Sequence, residues 1–151
     1  MTTIEIIYHK NTSSYQEILH HLSEVETSFI PILSETVSLY EYAEKLFNKS
    51  IRYECWNKKR LIGLIAIYRN DNENIGYITN VSVVEEFSGN KIATKLMIDV
   101  LNYSKEHGLS RLDLHVNEAN NRAISFYKLF GFKLRSLNSS KLLMSLEIKS
   151  N

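Results

Sequence analysis

The most specific chemistry in this sequence comes from an amide and a phenol at helical spacing. Asn120, Ala123 and Tyr127 are spaced so that all three lie on one side of a helix. A phenol, with an ordinary pKa of about 10, can donate a hydrogen bond or a proton to a departing thiolate. The competing interpretation is that Asn120 only caps the helix and that Tyr127 only packs in the core.

A loop before another predicted helix has the backbone chemistry of an anion site. Helix N-termini carry unpaired N–H groups and the positive end of the helix dipole, so they bind phosphate. We therefore expect the backbone amides of residues 89–94 to contact a pyrophosphate, although a turn glycine and a solvated lysine would give the same pattern. The loop residues are Ser88, Gly89, Asn90, Lys91, Ile92, Ala93 and Thr94.

These residues require a framework that changes from consecutive strands to alternating strands and helices. Hydrophobic periodicity and turn residues predict an element order of βααβββαβαββ, with a loop over residues 27–37 that contains the only proline. The three consecutive strands in the middle of the chain are predicted to form an antiparallel meander. The strands before and after the helix at 91–107 are predicted to be parallel to each other. Strands are predicted at 4–8, 51–56, 61–68, 75–84, 112–116, 132–136 and 142–148, and helices at 13–25, 38–47, 91–107 and 120–130.

The loop and the last helix together resemble the GCN5-related N-acetyltransferase (GNAT) superfamily. Its second signature is Asn, two residues, Ala, three residues and Tyr, followed by Gly-Phe; Asn120, Ala123, Tyr127 and Gly131-Phe132 match it. The resemblance covers about residues 77–132, and the element order extends it to the whole chain. It implies the GNAT fold: an α/β (α+β) architecture with a mixed, mostly antiparallel sheet of about seven strands flanked by four helices. The expected organisation is a single N-acetyltransferase domain over residues 1–151.

The resemblance also implies acetyl-CoA as co-substrate and assigns its contacts. Asn120 would contact the CoA arm, Tyr127 would be catalytic at the thioester sulfur, and the strand backbone near Val81 and Val83 would hold the pantetheine. The phosphate loop departs from the family pattern. Ser88 stands where the family has Gln or Arg, and Lys91 replaces the central glycine.

The acceptor amine and its base are less well defined by the resemblance. Histone-type relatives carry a glutamate at the position of Tyr77, so a protein-lysine activity of that type is not favoured. The predicted acceptor-binding residues are Phe29, Tyr77 and Asn80. The general base stays open among water held by Thr79 or Asn80, and the side chains of Glu26, Glu54 and His115.

Composition narrows the remaining classes. A formal charge of +1 over 151 residues does not suggest a nucleic-acid partner. The single Cys55 offers neither an internal disulfide nor a metal-binding pair, so no metal is expected. The sequence has no secretory pattern and no apolar run long enough for a membrane span, so we expect a cytoplasmic protein without a membrane partner.

The sequence therefore predicts an acetyl-CoA-dependent N-acetyltransferase that acts on a primary amine of a small molecule. Three alternatives stay open: a protein N-terminal acetyltransferase, a CoA-binding module without turnover, and an interaction domain without a CoA site. Strand 142–148 predicts either a core strand or the edge of a homodimer.

Overall fold

The computed structural model describes residues 5–149. Within this range the chain forms seven strands and five α-helices, which confirms the predicted α/β architecture. In chain order they are β1 Ile7–Lys10, α1 Tyr15–Val25, α2 Leu33–Thr36, α3 Leu39–Lys49, β2 Ile51–Asn57, β3 Arg60–Asn70, β4 Ile75–Val83, α4 Ile92–Glu106, β5 Arg111–Asn117, α5 Asn121–Leu129, β6 Lys133–Asn138 and β7 Lys141–Glu147.

All seven strands belong to one sheet with the order β1-β2-β3-β4-β5-β7-β6. β4 and β5 are parallel, and the other five neighbouring pairs are antiparallel. The meander β2-β3-β4 and the parallel pair across α4 are therefore as predicted. The parallel pair is the part of the sheet that shapes the candidate site, because its two strands do not stay together.

Two elements differ from the sequence prediction. β1 begins at Ile7, after the predicted start, and runs on to Lys10, opposite Tyr53; the predicted first residue, Ile4, lies outside the described residues. The segment predicted as a loop contains the short helix α2, which buries Leu33 in the core, so a fifth helix joins the four predicted. A single helical turn is too short to show the 3.6-residue periodicity that a sequence pattern needs.

The sheet has a hydrophobic core on each face. α1 and α3 cover one face, where Ile18, Leu22 and Leu46 pack against Leu64 and Ala66 of β3. α4 and α5 cover the other face, and the main buried residues there are Ile65, Ile67, Leu96, Met97, Val100, Leu112, Leu114, Tyr127 and Phe132. We call these the α1/α3 face and the α4/α5 face. Each inward side chain of the central strands points toward one of them.

A glycine on β3 sets how closely α4 approaches the sheet. A Cβ atom at Gly63 would lie 2.7 Å from Cγ2 of Ile92, the first residue of α4. Since no other residue leaves that space, Gly63 allows the N-terminus of α4 to pack directly on β3. The loop before α4 is thereby held beside the end of β4.

A buried ionic network on β2 holds the start of α1. Glu54 is fully buried and accepts hydrogen bonds from the backbone N–H and hydroxyl groups of both Thr12 and Ser13. Burial alone raises the pKa of Glu54, but these hydrogen bonds outweigh burial and lower it. Arg52 lies 3.6 Å from the carboxylate and donates to the Ser13 hydroxyl and to carbonyls that include that of Leu46. We call Thr12, Ser13, Arg52 and Glu54 the β2 network.

Candidate active site

β4 and β5 pair over only part of their length. Their register runs from Ile75 opposite Arg111 to Ile78 opposite Leu114, after which β4 continues to Val83 and β5 to Asn117. We call the gap between residues 79–83 of β4 and residues 115–117 of β5 the strand opening. Backbone groups of β4 that would complete a ladder with β5 are left without that partner there, so an extended ligand could pair with them.

A bulge in β4 lies at the start of the strand opening. Ala66 of β3 pairs with Asn80 and Ile67 pairs with Ile78, so Thr79 is the extra residue. Such a bulge re-aims the strand and its side chains. Val81 and Val83, two of the predicted cofactor-binding residues, are half-buried on β4 beyond this bulge and point to the α4/α5 face.

The loop before α4 presents a row of unpaired backbone amides. The N–H groups of residues 89–94 make no backbone hydrogen bond within residues 5–149; the next amide, that of Lys95, bonds to the carbonyl of Lys91. Six consecutive donors at a helix N-terminus suit a pyrophosphate. Four residues of the loop are exposed, namely Ser88, Gly89, Asn90 and Lys91, and two are half-buried, Ala93 and Thr94. The side chain of Ile92 lies in the core, while its amide is one of the six unpaired donors.

Lys91 has a left-handed backbone conformation, although a lysine adopts that conformation less readily than a glycine. It is the N-cap of α4 with φ 58° and ψ 26°, in the left-handed region, and Gly89 has φ 85°. Left-handed backbone favours glycine, so Lys91 holds a conformation that glycine adopts most readily. The lysine brings a positive charge to it.

α5 carries the asparagine and tyrosine that the sequence singles out. Asn120 is the N-cap of α5, where its Oδ1 accepts from the N–H of Ala123 at 3.2 Å. Its Nδ2 group makes no hydrogen bond with the described residues. Asn120 therefore retains a donor that a ligand could use.

Tyr127 is buried at the inner side of α5. Its ring, 8% exposed, packs edge-on against Phe126 and Phe132, and its hydroxyl makes no hydrogen bond within residues 5–149. Burial, together with the nearby Tyr77 hydroxyl, raises the pKa of Tyr127 above its usual range. The phenol is thus neutral and carries a proton to donate. Because the neighbouring Tyr77 belongs to β4, the phenol of Tyr127 lies beside that strand.

A tyrosine and a histidine bridge the two strands where they begin to separate. The Oη atom of Tyr77 on β4 lies 2.7 Å from Nδ1 of His115 on β5. Burial, followed by the charge of Lys141, lowers the pKa of His115, so its imidazole is mainly neutral at pH 7. A neutral imidazole within reach of a hydroxyl can accept a proton. Sequence reasoning named both residues but could not pair them.

A group of hydroxyls and one amide occupies the α1/α3 face of the bulge. Tyr42 of α3 donates to the carbonyl of Thr79 at 2.7 Å, and its Oη lies 2.8 Å from Thr79 Oγ1. Tyr68 stands opposite Tyr77 on the neighbouring strand, and Asn80 is 2% exposed. We call Tyr42, Tyr68, Tyr77, Thr79 and Asn80 the tyrosine cluster. Sequence reasoning missed Tyr68, which looks like an ordinary strand aromatic.

Asn80 is held from behind by a buried histidine. Its side-chain amide lies 2.7 Å from the Ser82 hydroxyl, and Ser82 Oγ lies 2.8 Å from Nε2 of His21. Because the neutral imidazole donates from Nδ1, its Nε2 accepts the single Ser82 proton, and the Asn80 amide donates to Ser82 Oγ. His21 Nδ1 donates to the carbonyl of Leu61 at 2.9 Å. Burial lowers the pKa of His21 to about 4. This chain ties the side-chain position of Asn80 to α1.

The other sequence candidates lie outside this arrangement or at its border. Phe29 is half-buried and packs against the cores of both faces. Glu26 accepts a hydrogen bond from Ser34, and Glu54 is saturated within the β2 network, so Glu54 is not placed to remove a substrate proton. A groove of about 650 Å³ on the outer side of α1, next to Tyr40, shares no residue with the strand opening.

Metal-binding clusters and membrane-spanning helices are both absent from the described part of the chain. Residues 5–149 contain no group of three His, Cys, Asp or Glu side chains arranged to hold a metal ion. Over the same range, no helix combines the length and apolarity needed to cross a membrane.

Comparison with known proteins gives consistent results. The acetyltransferase (GNAT) family pattern matches residues 15–132. N-alpha-acetyltransferase 30 of Schizosaccharomyces pombe (strain 972 / ATCC 24843) is 30% identical over 104 residues, which cover 66% of this chain and 69% of that protein.

Solved structures share the fold at lower sequence identity. PaiA N-acetyltransferase from Thermoplasma acidophilum, in complex with coenzyme A, superposes with a TM-score of 0.76 at 19% identity, covering 95% of this chain and 99% of that one. The ribosomal-protein-S18-alanine N-acetyltransferase from Escherichia coli superposes with a TM-score of 0.79 at 13% identity, covering 97% and 96%.

Proposed function

The chain belongs to the acetyltransferase (GNAT) family, and on that premise we propose that it transfers the acetyl group of acetyl-CoA to the primary amine of a small molecule. One observation carries the proposal. Tyr127 lies near Tyr77, Tyr77 contacts His115 where β4 and β5 separate, and the unpaired amides of residues 89–94 begin the helix that packs at Gly63, the partner of Val83 at the end of β4. A proton donor, a proton acceptor and an anion site are the groups that this reaction needs.

The residues present fit acetyl-CoA as co-substrate. The amides of residues 89–94 and the charge of Lys91 would hold the pyrophosphate, and the free Nδ2 of Asn120 would donate to the pantetheine arm. The backbone of β4 near Val81 and Val83 would pair with the same arm along the strand opening. Acetyl-CoA supplies an activated acyl group, so the protein need only position it and manage protons.

Tyr127 would donate the proton that the leaving sulfur requires. When the amine nitrogen bonds to the acyl carbon, the C–S bond breaks and its electron pair stays on the sulfur. A phenol kept neutral by burial can give that sulfur a hydrogen bond or a proton. Its hydroxyl is free of other partners among the described residues, so donation does not require another bond to break.

The Tyr77–His115 pair would accept the proton that the amine loses. Primary alkyl amines, with a reference pKa of about 10.4, are protonated near neutral pH and must lose a proton to attack. With Tyr77 donating to Nδ1 of His115, a proton taken up by the Tyr77 oxygen passes to the imidazole. The lowered pKa of His115 keeps that imidazole ready to accept it at neutral pH.

Acetylation of a protein N-terminus is the second candidate. It is favoured by one specific observation, the similarity to a protein named N-alpha-acetyltransferase 30. Both acceptors are primary amines, so the same donor and acceptor of protons would serve either.

The test is a thiol-release assay with acetyl-CoA and two acceptor panels, small amines and short peptides with free N-termini. We expect amine-dependent release of CoA thiol that Tyr127→Phe lowers by about 100-fold, the scale of one lost acid–base group. Tyr40→Phe, a change at a residue that is 69% exposed, is the matched control and should retain activity. Binding of acetyl-CoA without release of thiol for any amine would contradict turnover and support a binding module. Absence of binding would reject the CoA site itself.

A further inference from the structure

The backbone N–H groups of residues 89–94, which we call the amide row, are held firmly at one end. There the side chain of Ile92 is buried and packs at Gly63 of β3, a position with no room for a Cβ atom. At the other end, residues 88–91 are exposed, and Lys91 has the left-handed backbone that a residue with a Cβ atom adopts reluctantly. The shape of the amide row therefore depends on what fixes the chain just before it.

That preceding segment is a single tight turn of residues 85–87. Phe87, its last residue, is buried in the core of the α4/α5 face. The Ser88 N–H donates to the carbonyl of Glu85 at 3.0 Å, and Nδ2 of Asn90 donates to the carbonyl of Phe87 at 2.8 Å. A movement of this turn is therefore passed directly to the first groups of the amide row.

Arg60, the first residue of β3, connects this turn to α1. Its Nη1 lies 2.6 Å from Oε1 of Glu86 in the turn, and its Nη2 and Nε donate to the two carboxylate oxygens of Glu24 near the end of α1. The same guanidinium lies over the Phe87 ring, with its Cζ 5.7 Å from the ring centre. One side chain thus joins three segments that are distant in sequence.

These contacts form a network rather than an isolated surface ion pair. An isolated exposed pair contributes little, but a planar guanidinium that bonds one carboxylate with two nitrogens and a second with its third is held in one orientation. The side chains of Arg60 and Glu24 are 33% and 20% exposed, and the hydrogen bond from Arg60 lowers the pKa of Glu24. Glu24 is therefore ionised at neutral pH and keeps the guanidinium in place.

The turn carries two glutamates that differ in their contacts. Glu85 and Glu86 are both exposed, and both lie just before a row of amides that would bind an anionic pyrophosphate, which their charges would repel. Arg60 pairs with Glu86, whereas Glu85 has no ion pair among residues 5–149. The two side chains thus bring the same charge to the same turn, but Glu86 also anchors it.

We propose that Arg60 is a positioning residue for the co-substrate, which holds the turn of residues 85–87 against α1 and thereby keeps the amide row in the geometry that binds the pyrophosphate of acetyl-CoA. Arg60 would act through the turn and the amide row rather than by contact with the co-substrate. The inference rests on the proposed function and adds to it a residue from the opposite end of β3.

The test compares Glu86→Gln with Glu85→Gln by calorimetric titration with CoA. Both variants remove one negative charge from the same exposed turn, so charge alone would tighten binding of the anion in both. Loss of the anchor acts in the opposite direction, and only in Glu86→Gln. We expect the dissociation constant of CoA to rise about fivefold for Glu86→Gln, the scale of one ion pair, and to stay the same or fall for Glu85→Gln.

Arg60→Gln should weaken CoA binding at least as much as Glu86→Gln, because it loses the anchor and also leaves the charge of Glu86 unpaired. Steady-state kinetics separates positioning from damage to the fold. In Glu86→Gln the KM for acetyl-CoA should rise by the same factor as the dissociation constant, whereas kcat at saturating acetyl-CoA should keep its wild-type value.

Several results would overturn the role of Arg60 and leave acetyl transfer standing. They are CoA binding by Glu86→Gln that equals or exceeds that of the wild type, an equal loss in Glu85→Gln, and a lower kcat with an unchanged KM. Binding of CoA by the wild type without thiol release from acetyl-CoA for any amine would reject the proposed function, while the dissociation constants would still decide the role of Arg60. No binding of CoA by the wild type would reject both.

Discussion

The β2 network and the tyrosine cluster lie on the same face of the sheet but treat their polar atoms differently. Arg52 and Asn80 are both opposite Ala66, on either side of β3, so the two groups are near neighbours under α1 and α3. The carboxylate of Glu54 accepts five hydrogen bonds, four from Thr12 and Ser13 and one from the indole of Trp56, and its partner Arg52 donates to several groups. The buried Tyr68 hydroxyl, by contrast, has no partner within residues 5–149.

The difference separates anchoring from binding. A saturated buried network has nothing left to offer a ligand, and it stabilises one position of α1 on the sheet. A buried hydroxyl without a partner adds no stability to the free protein and keeps its donor and acceptor unused. Burial and polarity alone would rank Glu54 above Tyr68 as a functional residue, and counting hydrogen bonds reverses that order.

The largest expected effect is on stability, in the β2 network. Glu54→Ala leaves Arg52, which is 4% exposed, as an uncompensated buried charge, so the free energy of unfolding should fall by about 3–5 kcal/mol. Urea unfolding measures it, and kcat/KM per folded molecule should not change. Glu44→Ala, at an exposed position of α3, is the control. A specific loss of kcat/KM in folded Glu54→Ala protein would contradict the purely structural role of this network.

The next effect concerns pH and the histidine behind Asn80. His21 has a folded-state pKa of about 4, below its ordinary value of 6.5. The stability that the neutral His21 ring contributes is therefore fully present above pH 6.5. As the pH falls toward 4, about 3 kcal/mol of the free energy of unfolding is lost. Unfolding free energies measured across this window should fall for the wild type and fall less for His21→Asn. His9→Asn, at an exposed position, should follow the wild type. Equal slopes for His21→Asn and the wild type would contradict the neutral buried state of His21.

The smallest effect compares two tyrosines within the cluster. Tyr42→Phe removes the donor to the Thr79 carbonyl and should lower the free energy of unfolding by about 1–3 kcal/mol. Tyr68→Phe removes an atom that has no partner, so stability should stay within about 0.5 kcal/mol of the wild type or rise. Thermal unfolding of the two variants side by side measures the difference. A loss for Tyr68→Phe as large as that for Tyr42→Phe would mean that the Tyr68 hydroxyl is paired in the free protein.

The fold could be predicted from sequence, and residues for the cofactor could be proposed, because both signals are local. Capping at Ser14 and Ser38, amphipathic helix faces and the Asn120–Tyr127 spacing are each readable within one helix. The loop at Lys91 is instructive. Its residue type departs from the family pattern, but its backbone has the left-handed conformation that glycine favours, and an amide row depends on backbone rather than side chains.

The acceptor side could not be read in the same way because its contacts join distant segments. Tyr77 meets His115 only through the parallel register of β4 and β5, and Tyr42 meets Thr79 only because α3 crosses the bulge. No local pattern in the sequence fixes either contact. The short helix α2 was missed for a different reason, since one turn leaves no period to detect.

The most direct test of the strand opening as the site of acetyl transfer is an NMR titration of ¹⁵N-labelled protein with acetyl-CoA. We predict that the amide resonances of residues 89–94 and of residues 79–83 shift together with a single dissociation constant. Those of Thr12 and Ser13, whose amides are bound to Glu54, should stay in place. Shifts that spare both the loop and the strand opening, or no shift at millimolar acetyl-CoA, would contradict the assignment of this site.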